Sequence, residues 1–168
     1  LLDDARRELT DQFLATDRWT NLEGARAVYS DPAFIAAFST LFASPTAPAL
    51  YTRSDWHQWG DLDAADASTP RWFAVVRGTL ASADLVAMQA IHDAAASGGE
   101  TMVTAAGDVA HIVFFGADDP SQFLAIDVWT SDAAIAAVYS DPAFIASLDG
   151  LFSAPPTFGI YQSTSWHQ

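Results

Sequence analysis

The sequence predicts an α+β fold made of β-α-β-β-α-β modules in tandem, each with its helices on one face of an antiparallel sheet. Three observations predict it. Residues 11–58 and 121–168 align at a constant offset of 110 positions without a gap, and 24 of the 48 pairs are identical. Within the second copy, short β-branched and aromatic runs alternate with Ala-rich stretches preceded by Ser or Asp, the punctuation of strands and capped helices. Third, the run Phe123, Ala125, Asp127, Trp129 recurs as Phe13, Ala15, Asp17, Trp19, whereas Leu124, Ile126, Val128 have become Leu14, Thr16, Arg18. Strand side chains alternate faces, so the repeat kept one face and let the other drift. The preserved face is expected at the interior or at the contact between copies.

The longest identical block, Ala27–Ala36 with Ala137–Ala146, and the closing pair Trp56-His57-Gln58 and Trp166-His167-Gln168 make the repeat a gene duplication. In the complete copy, Arg71–Leu80 reads as a strand. Ser82 or Asp84 caps a helix to about Ala96, with Leu85, Met88, Ile91 and His92 on one stripe and Gly98-Gly99 as its stop. Asp108–Gly116 is a second strand, 117–120 a turn, and Gln122–Trp129 a third strand. Thr130-Ser131-Asp132 caps a helix to Tyr139, and Ser140-Asp141-Pro142 restarts one that ends near Gly150, Pro being favoured at the first helical position. Gly159–Trp166 is the last strand. This is the ferredoxin-like order. One such sheet leaves a bare apolar face, so the two sheets are expected to pack as a pseudo-dimeric α/β barrel, and the same surface allows homo-oligomers through the sheets.

The chain thus divides into an incomplete N-terminal repeat at 1–58, an acidic, turn-rich linker at 59–70 and a complete repeat at 71–168. Leu1–Thr10 resemble nothing in 111–120, so a full first copy needs roughly 50 more residues in front.

Composition excludes several classes. With no cysteine there are no disulfides, thiolate metal sites or thiol nucleophiles. No signal peptide is visible and no run of 18 apolar residues occurs; a cytoplasmic, non-membrane protein is expected. The seven basic residues are all Arg, the last is Arg77, and 78–168 holds ten carboxylates and no base. Phosphate neutralisation needs Lys or Arg, so nucleic acid is not an expected partner. The net charge of −14 reads as a solubility device.

At Ile126-Asp127-Val128-Trp129, the helix Thr130–Tyr139, the Ser-Asp-Pro-Ala-Phe step at 140–144 and the apolar last strand, the sequence resembles the antibiotic biosynthesis monooxygenase type of dimeric α/β barrel. The resemblance covers 71–168 and recurs in 11–58. It implies a cavity between each sheet and its helices for a small aromatic or polyketide-like ligand, and in some members oxidation by O2 with no metal or flavin. Many members carry a His about nine residues after the Trp, where this chain has Val138 and Val28. Haem-degrading relatives use a Trp near that position and a His one turn after the Phe, against Val138 and Leu148 here, with Val28 and Phe38 in the first copy. Haem degradation is therefore not expected.

Asp127 and His111 are the candidate catalytic pair. A mid-strand carboxylate on an apolar face must be paired or hydrogen-bonded, either as a general base with a raised pKa or as a structural group. His111, alternating with Val109 and Val113, is either a proton acceptor or a core histidine. Trp129, Tyr139, Tyr161, Asp17 and Trp19 are candidate substrate-binding residues, with core packing as the alternative. His92 reads as interfacial or exposed, and the two Trp-His-Gln endings as a repeated packing corner. No His pair has metal-ligand spacing, and no nucleotide, hydrolase or zinc-protease motif occurs, so neither metal nor cofactor is expected. Two functions follow: a cofactor-independent monooxygenase of a small planar aromatic, or a non-catalytic ligand-binding or assembly module.

Overall fold

The computed structural model describes residues 13–43, 48–62 and 71–163. Helices α1 (Leu22–Tyr29) and α2 (Pro32–Ser39) precede strand β1 (Tyr51–Arg53). There follow β2 (Trp72–Thr79), α3 (Leu85–Ala106), β3 (Asp108–Gly116), β4 (Gln122–Trp129), α4 (Asp132–Tyr139), α5 (Pro142–Ser147) and β5 (Thr157–Gln162). The strands form one five-stranded sheet in the order β1-β3-β4-β2-β5, with every pairing antiparallel. Residues 71–162 thus supply the expected β-α-β-β-α-β order.

The caps hold these elements where the sequence puts them. Asp84 accepts from the N–H groups of Val86 and Ala87, Ser131 from Ala134 and Asp141 from Ala143, each satisfying donors a helix start leaves open. The Gly98-Gly99 stop is overturned: α3 runs through both and ends at Gly107, which has φ 115°. Two glycines weaken a helix by about 1 kcal/mol each, but the turns beyond them bury Val103 against the sheet. Gly107 ends the helix because its left-handed backbone disfavours a side chain, and a Cβ there would lie 2.2 Å from Thr130 Oγ1.

One face of the sheet lies under the helices. Val76, Val113, Phe123 and Ala125 pack with Trp56, Met88 and Leu151, and Ala74 and Trp129 pack with Val103, Ile135 and Val138. The preserved face of β4 is therefore the helix side, not a seam between two sheets. The drifting face, with Val75, Leu124 and Ile126, packs against Leu14, Tyr51, Leu62 and Tyr161.

Among the described residues the strands do not close into a barrel, and the first copy adds only β1 to the sheet. Residues 13–20, which repeat most of β4, are not a strand. In the second copy β4 is hydrogen-bonded on both sides, by β2 and β3; the same sequence without flanking strands has no ladder to join. Its aromatic residues instead stack along α1 and α2, from Phe13 and Phe42 through Phe38 and Phe34 to Tyr29 and Trp19. Most of the linker, the end of the last expected strand and the second Trp-His-Gln lie outside the described residues.

Candidate active site

β4 runs between β2 and β3, so Asp127 faces Ala74 on one side and His111 on the other. That register places the two candidate catalytic side chains directly opposite each other, where cross-strand groups interact most strongly. His111 Nδ1 lies 2.5 Å from Asp127 Oδ1, and the Tyr139 hydroxyl donates to Asp127 Oδ2 at 2.5 Å. Asp127 is 3% exposed, so these bonds hold a carboxylate that burial alone would not tolerate. Burial, and then the charge of Asp127, raise the Tyr139 hydroxyl well above its usual pKa. Tyr139 is thus a neutral donor to the carboxylate.

Two further groups join them. His92, on α3, is buried, and its Nε2 lies 3.2 Å from His111 Nε2, with the two rings 16° from parallel. Burial lowers its pKa to about 4 against the opposing hydrogen bond to Asp93, with His111 lowering it further. Its Nδ1 lies 2.9 Å from Asp93 Oδ1. Burial pushes Asp93 up, but hydrogen bonds from His92, the His57 backbone N–H and Gln89 outweigh it and hold the carboxyl below its usual value. Asp108 is the other group, buried at the start of β3 and accepting from Ala110 N–H. Burial and then the neighbouring Asp127 push its pKa up to about 8, so at neutral pH it is mainly a carboxylic acid.

These groups line a cavity of about 70 Å³ between the sheet and α3, α4 and α5, walled by Trp59, Phe123, Trp129, Tyr139 and Phe144 among others. As it stands this is room for a few water molecules. A ring-sized ligand needs a larger space than this, and Phe144, Leu148 and Phe152 on its wall are only half-buried. Two buried indole N–H groups on its wall, those of Trp59 and Trp129, have no hydrogen-bond partner among the described residues. Among the described residues no three His, Asp or Glu side chains are grouped to hold a metal ion.

The segment after β1 closes one side, and it includes Trp59 and Gly60, the first two residues of the expected linker, which here pack on β3. Trp59 pairs its backbone with His111 in both directions and lays its ring 4.7 Å from the imidazole. Trp56 packs on Phe115 and His92. His57 Nε2 lies 2.9 Å from Glu100 Oε2 on α3. Gly60, at φ 67°, permits the close approach, since a Cβ there would lie 2.2 Å from the Val109 carbonyl oxygen.

Of the residues singled out in the sequence, Asp127, His111, Trp129 and Tyr139 converge on this cavity, and Asp17, Trp19 and Tyr161 do not line it. Tyr161 packs on the opposite face of the sheet. Asp17 and Trp19 are exposed, not interior, because among the described residues no strand flanks them as β2 and β3 flank Asp127 and Trp129. The first copy still repeats one bond: Tyr29 donates to Asp17 Oδ2 at 2.5 Å, as Tyr139 does to Asp127. His92 is buried in the site, not interfacial or exposed. Its signal was the helical stripe of Met88, His92, Gly99 and Val103. Asp108 was hidden by a β-bulge. Asp108 pairs with Trp129 but Ala110 with Val128, and the extra residue, Val109, turns Asp108 onto the cavity face that strict alternation denies it.

No family model matches the sequence, and no curated protein matches it. Among solved structures, the chain is similar to an anthrone oxidase-like protein, with TM-score 0.60 and 12% identity over 89% of this chain and 71% of the other. It also overlaps SnoaB, a cofactor-independent oxygenase from Streptomyces nogalater, with TM-score 0.44 and 20% identity over 60% and 97%. A conserved protein from Methanosarcina mazei Go1 overlaps with TM-score 0.46 and 12% identity over 56% and 94%. The first likeness carries the fold alone, an α+β arrangement of helices on an antiparallel sheet, at low identity. The other two overlaps carry no argument. No helix among the described residues is long and apolar enough to cross a membrane.

Proposed function

We propose that this chain is a cofactor-independent oxygenase acting on a small planar aromatic or polyketide-like substrate, through the repeat at 71–168. The observation that carries the reading is the buried Asp127–His111 pair at the wall of an aromatic cavity. The structural likeness to an anthrone oxidase-like protein fits the same chemistry.

Asp127 is the base. A carboxylate offers about four lone-pair sites and only two are engaged here, by His111 and Tyr139, so it can accept one more proton. For a substrate with an acidic ring methylene, removal of a proton leaves the electron pair on carbon as a delocalised carbanion. O2 adds to that carbon and is reduced to a peroxide, which takes up a proton. Loss of the second hydrogen as a proton then breaks the O–O bond and yields the carbonyl and water. One O2 is consumed, one oxygen atom stays on the product and the other leaves as water. His111 shares the proton on Asp127, and Trp129 and Tyr139 wall the ring.

Oxygen uptake with a panel of quinols and anthrone-type ketones tests the reading. Uptake by the wild type that falls about a hundredfold or more in Asp127→Asn, a typical loss for a general base, is the expected result. A second reading, a ligand-binding module, is favoured by one observation: both ring nitrogens of His111 already have partners. Thermal stabilisation by these aromatics with no oxygen uptake would establish the binder and end the enzyme reading.

A further inference from the structure

The hydrogen bonds at the site do not stop at the catalytic pair. From Asp127 they continue through His111 and His92 to Asp93, with heavy-atom separations of 2.5, 3.2 and 2.9 Å. Exposure of the side chains rises along the line only at its end, from 5% at Asp127, 13% at His111 and 4% at His92 to 33% at Asp93. The two imidazoles meet Nε2 to Nε2 with nearly parallel planes, an arrangement in which one nitrogen donates to the lone pair of the other. Hydrogen placement follows from the outer end. Asp93 is a carboxylate that also accepts the His57 backbone N–H and the Gln89 amide, so His92 Nδ1 must carry the hydrogen and its Nε2 must be bare. His111 Nε2 then donates to it.

We infer that His92 and Asp93 form the exit by which a proton leaves the buried Asp127–His111 pair for solvent, with His92 as the relay. The inference rests on the acid–base reading above and names residues that reading does not use. The substrate's bond to hydrogen breaks, its electrons stay on the substrate, and the proton joins Asp127. The hydrogen shared between Asp127 Oδ1 and His111 Nδ1 moves fully onto His111, and His111 gives the hydrogen on Nε2 to His92 Nε2. His92 gives the hydrogen on Nδ1 to Asp93, which loses it to water. One proton enters at the cavity and one leaves at the surface; the proton that the peroxide takes up returns along the same line and restores both tautomers, so the whole reaction releases none and needs no oxidant besides O2. The ionisable groups around the line are Asp108 and Tyr139 at the inner end, and His57 with its partner Glu100 near the outer end. His92 acts through His111 and is a positioning residue in the reaction.

The test uses the full chain labelled with ¹⁵N, first without any substrate. A scalar coupling between the two Nε2 nuclei is expected, because a shared hydrogen transmits one. Asp93→Asn is expected to move the His92 ring resonances toward the other tautomer. Absence of the coupling between assigned rings, with His111 resonances unmoved in His92→Gln, would overturn the relay. If the oxygen-uptake assay finds a substrate, His92→Gln should lower kcat roughly tenfold with KM unchanged, less than loss of the base itself, and a kcat equal to wild type would also overturn it. If no substrate turns over, the oxygenase reading fails by itself and the coupling still decides whether the proton line exists.

Discussion

Asp108 and His92 are both buried beside the same pair, and burial moves them in opposite directions. Asp108 has a native pKa of about 8 against about 3.9 in an unfolded chain. The native state therefore holds the extra proton, and its contribution to stability is complete below about pH 4 and lost as pH rises towards 8. His92, at about 4 against about 6.5, is neutral when folded. Its contribution is complete above about pH 6.5 and lost as pH falls towards 4. The two slopes offset each other between about pH 4 and 6.5, leaving that of Asp108 alone above it. Urea unfolding is expected to show a loss of about 2 kcal/mol between pH 6.5 and 8. Asp108→Asn keeps the acceptor for Ala110 and should flatten that decline; an unchanged slope in the variant would assign it elsewhere. Tyr139→Phe should destabilise by about 1–3 kcal/mol, because it removes a donor from a buried carboxylate, and thermal or urea denaturation measures it. The residue scale is also where the sequence was least legible. Asp127 and His111 could be read from alternation, whereas Asp108 needed the bulge at Val109 and Trp59 needed the register of the segment after β1 against His111.

Between elements, the legible features were those with local causes. β2, β3, β4 and the starts of α3, α4 and α5 follow caps and runs within a few residues. The end of α3 does not, because the packing of Val103 with Ala74 and Trp129, which are distant in sequence, carries the helix past Gly98-Gly99. The three glycines of α3 and its cap should therefore respond differently to alanine. Gly98 has nothing within 4 Å of a new Cβ, so Gly98→Ala should stabilise by about 0.5–1 kcal/mol. Gly107→Ala should destabilise by more than about 1 kcal/mol, since it combines positive φ with a contact at Thr130. Chemical denaturation of the two variants checks both signs, and equal effects would contradict this account of the helix.

Across the whole molecule, the repeat in the sequence does not become a repeat in the sheet. The first copy keeps the helices, the aromatic ladder and the Asp17–Tyr29 bond, yet among the described residues its equivalent of β4 pairs with no strand, and Asp17 and Trp19 reach solvent. What it gives the second copy is the segment from β1 to Gly60, which pairs with β3 and walls the cavity with Trp59. Identity between copies could not reveal this, since pairing depends on which strands are present to either side. The central claim, that one cavity under α3 to α5 is the ligand site, is tested most directly by the six indole N–H resonances during titration with a quinol. The account predicts that the Trp59 and Trp129 signals shift together with the His111 ring. Movement of Trp19 alone, with those two unchanged at saturation, would contradict it.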